Sequence, residues 1–71
     1  TQISYALPEK AQVTLSVFNT IGKRVATLVK TTQSAGRYTA NFDASNLPSG
    51  LYMYRLDAGN FAETKKMLLV K

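Results

Sequence analysis

The feature that most constrains this chain is a hydrophobic period of two, repeated in four separate segments. Ile3, Tyr5 and Leu7 alternate with Gln2, Ser4 and Ala6, and Val13, Leu15 and Val17 alternate with Gln12, Thr14 and Ser16. Tyr38, Ala40 and Phe42 alternate with Arg37, Thr39, Asn41 and Asp43, and Tyr52, Tyr54 and Leu56 alternate with Met53, Arg55 and Asp57. Successive side chains of a strand point to opposite faces, so each segment predicts a strand with one buried and one wet face. The Val, Thr and Tyr content suits a pleated, half-buried surface. Two segments are less regular. Val25 and Leu28 cannot share a face in an unbroken strand, and a bulge near Ala26-Thr27 would reconcile them. The segment Phe61 to Lys71 ends in the apolar run Met67-Leu68-Leu69-Val70, which predicts a last strand covered on both sides. Thr64 and Val70 argue against a short helix there.

The turn residues divide the chain to match. Pro8-Glu9-Lys10 separates the first two strands, and Asn19-Thr20-Ile21-Gly22 closes a hairpin with Gly22 available for positive φ. Ser34-Ala35-Gly36 opens the fourth strand. Asp43 to Gly50 is the longest loop, and Pro48 within it cannot donate to a sheet ladder. Ala58-Gly59-Asn60 is a tight hairpin signal. Short strands at this spacing read as an all-β sandwich or barrel, with no internal repeat or linker. Six strands leave a sheet edge unprotected, so a seventh strand is expected upstream. The opening Thr1 agrees with a piece cut from a longer chain.

Composition narrows the function. The chain has 71 residues with no Cys, His or Trp, and 45% of them are hydrophobic. That describes one small globular domain near the lower size limit for a core without staples. Disulfide, thiolate-metal and redox sites are excluded, and the commonest general base is missing. The start does not read as a signal peptide, and no apolar run approaches the ~20 residues of a membrane helix. The net charge of +5 comes from nine basic and four acidic residues. The basic residues are spread along the chain, with doublets only at Lys23-Arg24 and Lys65-Lys66, as on a solvated surface that blocks sheet edges.

Each candidate chemistry has a simpler structural reading. The four acids, Glu9, Asp43, Asp57 and Glu63, do not suggest a facing pair across a cleft. Asn41, Asp43, Ser45 and Asn46 supply one carboxylate, which is thin for calcium and ordinary for an Asx turn. The glycines are isolated and form no phosphate loop. Tyr38 adjoins Arg37 and Tyr54 adjoins Arg55, but strand neighbours face opposite ways and build no nucleic-acid platform. A sugar-binding face would need exposed aromatics, whereas Tyr5, Tyr38, Tyr52 and Tyr54 share the inward parity of Ile3, Ala40 and Leu56. Phe18 and Phe61 fall outside the alternation and are expected to be partly exposed. The expected inner face is Ile3, Tyr5, Leu7, Val13, Leu15, Val17, Val25, Leu28, Tyr38, Phe42, Tyr52, Tyr54 and Leu56, joined by Met67 and Leu69.

The order of these segments resembles a known family. Ile3-Ser4-Tyr5-Ala6-Leu7-Pro8 precedes Val13-Thr14-Leu15-Ser16-Val17-Phe18-Asn19, then Gly22-Lys23-Arg24-Val25 and Leu28. Gly36 and Phe42-Asp43 lead to Leu47-Pro48-Ser49-Gly50-Leu51-Tyr52, and the chain closes on Lys65-Lys66-Met67-Leu68-Leu69-Val70-Lys71. Together these resemble the C-terminal sorting domains of proteins exported by type IX secretion. They are also similar to the Ig-like domain of the flagellar hook-capping protein. The resemblance implies a seven-stranded, Ig-like antiparallel β-sandwich at the end of a large secreted protein, read by the outer-membrane secretion machinery and often then cut off. An Asn-Pro-rich turn that such domains carry just upstream is absent, so the family's first strand is expected to be missing.

The expectation is therefore an all-β, Ig-like sandwich of six to seven short strands, a single domain over residues 1–71. Its expected role is a non-catalytic targeting module for an upstream cargo, destined for the cell surface or medium. Lys65, Lys66, Met67, Leu68, Leu69, Val70 and Lys71 are the candidate recognition segment, and Leu47, Pro48, Gly50 and Tyr52 the family-motif turn and strand. No cofactor, metal, nucleic acid or membrane insertion is expected, while self-association through the open sheet edge is. A structural or carbohydrate-binding accessory domain of a secreted enzyme is the alternative.

Overall fold

A computed structural model describes residues 2–70. These form β1 (Gln2–Leu7), β2 (Ala11–Phe18), β3 (Arg24–Gln33), β4 (Gly36–Asn41), β5 (Gly50–Ala58) and β6 (Phe61–Leu69), with no helix. β1 and β4 make a two-stranded antiparallel sheet. The other four make an antiparallel sheet in the order β3-β2-β5-β6. The chain crosses from the small sheet to the large one after β1, returns for β4, and crosses back so that β5 inserts beside β2. The result is the predicted β-sandwich.

The core follows from register. Val13, Leu15 and Val17 on β2 stand opposite Ala58, Leu56 and Tyr54 on β5, forming apolar rows across the inner face of the large sheet. Ile3, Leu7 and Ala40 cover these rows from the small sheet, and Phe42 closes one end just beyond β4. Val13, Leu15 and Val17 are fully buried. Each such side chain contributes roughly 1.5–3 kcal/mol by leaving water, so this central strand anchors the fold.

The structure modifies four expectations. First, β6 is an edge strand covered on one face only. Leu69 is buried and Met67 half-buried, but Leu68 is 69% and Val70 80% exposed. The apolar run hid an alternation whose outward members meet solvent. Second, β3 carries two irregularities instead of one. The pairing skips Leu28 between Leu15 and Ser16, and skips Val25 between Val17 and Phe18. The two shifts flank Ala26-Thr27, and Val25, Ala26, Leu28 and Val29 all pack half-buried against the core. Third, Tyr5, Tyr38 and Tyr54 are half-buried at the rim of the core, unlike buried Tyr52. Fourth, the expected loop begins one residue earlier, since β4 ends at Asn41. Phe18 is half-buried and Phe61 41% exposed, as expected. Gly22 takes the expected positive φ.

Candidate recognition surface

The two segments singled out in the sequence are neighbours in space. β5 and β6 pair antiparallel, setting Gly50 against Leu69, Leu51 against Leu68, Tyr52 against Met67, Met53 against Lys66 and Tyr54 against Lys65. The motif strand and the terminal strand thus form one two-stranded ribbon at the edge of the large sheet. Lys71 lies outside the described residues.

The turn feeding β5 is held by a local lock. The Tyr52 hydroxyl donates a hydrogen bond of 2.9 Å to the carbonyl of Pro48, four residues back. Leu47 is half-buried against the core, while Pro48 is exposed. Gly50 sits between lock and strand with a φ of 151°. No atom lies within 4 Å of where a Cβ would stand, so its requirement is conformational, not steric. The same device occurs at the start of β4. Tyr38 donates 2.6 Å to the Ser34 carbonyl, and Gly36 between them has a φ of 149°. Such a tyrosine corner fixes the angle at which a strand enters a sandwich. Sequence reading found no repeat and missed this one; the signal was Gly-x-Tyr at Gly36 and Gly50, each two residues before its tyrosine.

The lysine doublet divides across the sheet. Lys65 shares the inner-face parity of Tyr54, and Lys66 the outer-face parity of Met53. Lys65 pairs with Glu63 at 3.0 Å on the same face of the edge strand. The hydrogen bond to Glu63, then its charge and that of Tyr54, raise the Lys65 pKa above its ordinary 10.5. An inward-pointing ion pair on an edge strand discourages pairing with another sheet.

Lys65 and Glu63 also line a groove of about 570 Å³ with Tyr54, Leu56, Tyr5 and Tyr38. β4 approaches β3, so the second edge of β1 is open on the β6 side. The groove is the part of the inner face that the two-stranded sheet does not cover. The Tyr5 and Tyr38 rings stack on each other at 5.5 Å, and the Tyr5 hydroxyl donates to Gln33 Oε1 at 2.7 Å. Both hydroxyls and one face of each ring are therefore used internally.

The Ser45 amide donates 3.0 Å to Asp43 Oδ1, the expected Asx turn. Among the described residues, no three His, Cys, Asp or Glu side chains group to hold a metal ion. Among the described residues, no helix is long and apolar enough to cross a membrane.

The structure is thus a small β-sandwich in which the motif strand and β6 pair beside an open groove. Residues 1–71, the whole chain, match the family model described as Secretion system C-terminal sorting domain. The chain belongs to this family, the C-terminal sorting domains of type IX secretion. No curated protein and no solved structure compared with the chain gives a match.

Proposed function

We propose that this chain is the non-catalytic sorting signal of a larger cargo protein, and that it is read as a folded surface centred on the β5–β6 ribbon. Family membership supports export to the cell surface or medium and contact with the secretion machinery. The observation that carries the folded reading is the pairing of Gly50–Tyr54 with Lys65–Leu69. A linear tail signal would need no such partner. Strand edges and sandwich faces are natural docking elements, since backbone ladders supply affinity and side chains supply selectivity.

The groove beside β1 has a structural reading within the same proposal. An upstream segment of the cargo chain supplies a seventh strand along the open edge of β1 and covers half-buried Tyr54. Without that segment, another copy fills the gap by edge pairing or strand exchange. The mutual stacking and hydrogen bonds of Tyr5 and Tyr38 give these rings a structural task, which weighs against sugar binding.

The test is fusion of the whole chain to two unrelated reporters in a host with type IX secretion, followed by fractionation. Both reporters should leave the cell only when fused. Retention of both, with the chain folded, would refute the proposal.

A further inference from the structure

The sheet gathers basic residues that the linear sequence scatters. Register places Arg24, Phe18, Met53 and Lys66 in one row across the outer face of the large sheet. Neighbouring rows add Arg55 beside Ser16, and Lys30 beside Thr14 and Asp57. Four of the nine basic residues thus share this face with one acid, Asp57, which is engaged by Arg55 at 3.1 Å. Among the described residues, no acid pairs with Arg24, Lys30 or Lys66. At one end the face continues into the cross-strand pair Leu51–Leu68, both exposed. The outward positions of the small sheet, by contrast, are Gln2, Ser4, Ala6, Arg37, Thr39 and Asn41.

We infer that the outer face of the β3-β2-β5-β6 sheet is the docking surface for a protein partner with an apolar strip flanked by carboxylates. This rests on the sorting reading and specifies which surface is read. Arg24 and Lys66 lie on the two outermost strands, three strand spacings apart, which is ~14 Å. The partner's acids are therefore set about that far apart, with apolar side chains against Phe18 and Met53 between them. Complementary charge of this kind speeds encounter and fixes register. Phe18 and Met53 are half-buried, as suits contact with a flat protein surface. Four strands of this length present about 500 Å², the size of a weak, transient contact.

The test uses the exported reporter fusion of the whole chain. The double variant R24E/K66E should lower the exported fraction at least about tenfold, the scale of losing a complementary charge contact. Its melting curve should match the parent. Arg37→Glu, on the outward side of the other sheet, should leave export within about twofold of the parent. A photocrosslinking residue at Met53 should attach in exporting cells to a protein segment rich in Asp or Glu. Normal export of folded R24E/K66E would overturn the inference, as would an adduct only to lipid or only to a second copy. An unexported parent fusion would instead remove the sorting reading itself, and this inference with it.

Discussion

Tyr52 joins the two halves of the candidate site. Its ring is buried, its hydroxyl bonds the Pro48 carbonyl, and its backbone pairs with Met67. Tyr52→Phe should destabilise by about 0.5–1.5 kcal/mol for the lost hydrogen bond, and Tyr52→Ala by roughly 3–5 kcal/mol. Tyr54→Ala should cost less than Tyr52→Ala, because Tyr54 is half-buried at the groove. Urea unfolding of the three variants checks the order, and equal costs for the two alanine variants would contradict it. Gly50→Val should cost about 1–3 kcal/mol more than Ser49→Ala, from backbone strain alone. The whole domain commands only about 4–10 kcal/mol by its size, so Tyr52→Ala brings it near unfolding.

At the scale of elements, alternation in the first, second, fourth and fifth segments was enough to place β1, β2, β4 and β5, although Ser16, on the outward parity of central β2 and expected to be wet, is buried. β6 was harder. Its outward Leu68 is apolar although exposed, so composition suggested two covered faces where the sheet provides one. The two shifts in β3 were half legible. Val25 and Leu28 betrayed an irregularity, but its resolution into two depends on the pairing partners in β2. The basic outer face was invisible because its residues come from three strands, and only register unites Arg24, Arg55 and Lys66. The tyrosine lock was present in the spacing and went unread. β6 also carries a pH-dependent element. The raised Lys65 pKa means its pairing with Glu63 stabilises the fold fully below the unfolded value of 10.5. That contribution is lost as pH climbs through the higher folded value. Denaturation of parent and Glu63→Gln should therefore show a constant offset from pH 7 to pH 9.5, narrowing only in stronger alkali; both side chains are largely in solvent, so the offset should be small.

At the scale of the molecule, two strands facing four leave an incomplete sandwich. Far-ultraviolet circular dichroism should show sheet without helix, as the six strands require. Light scattering should show the isolated chain associating as concentration rises, through the open edge of β1. Extension of the chain by its upstream segment should return it to a monomer; a clean monomer without that segment would contradict the seventh-strand proposal. The central claim is that this folded unit sorts its cargo, and it is tested most directly by fractionating a reporter fused to the whole chain or to the chain lacking Met67 to Lys71. The deletion removes buried Leu69 and three of the nine β5–β6 register pairs, including that of Tyr52 with Met67. The intact fusion should reach the cell surface or medium and the truncated fusion should stay inside. Equal export of the two would contradict the account.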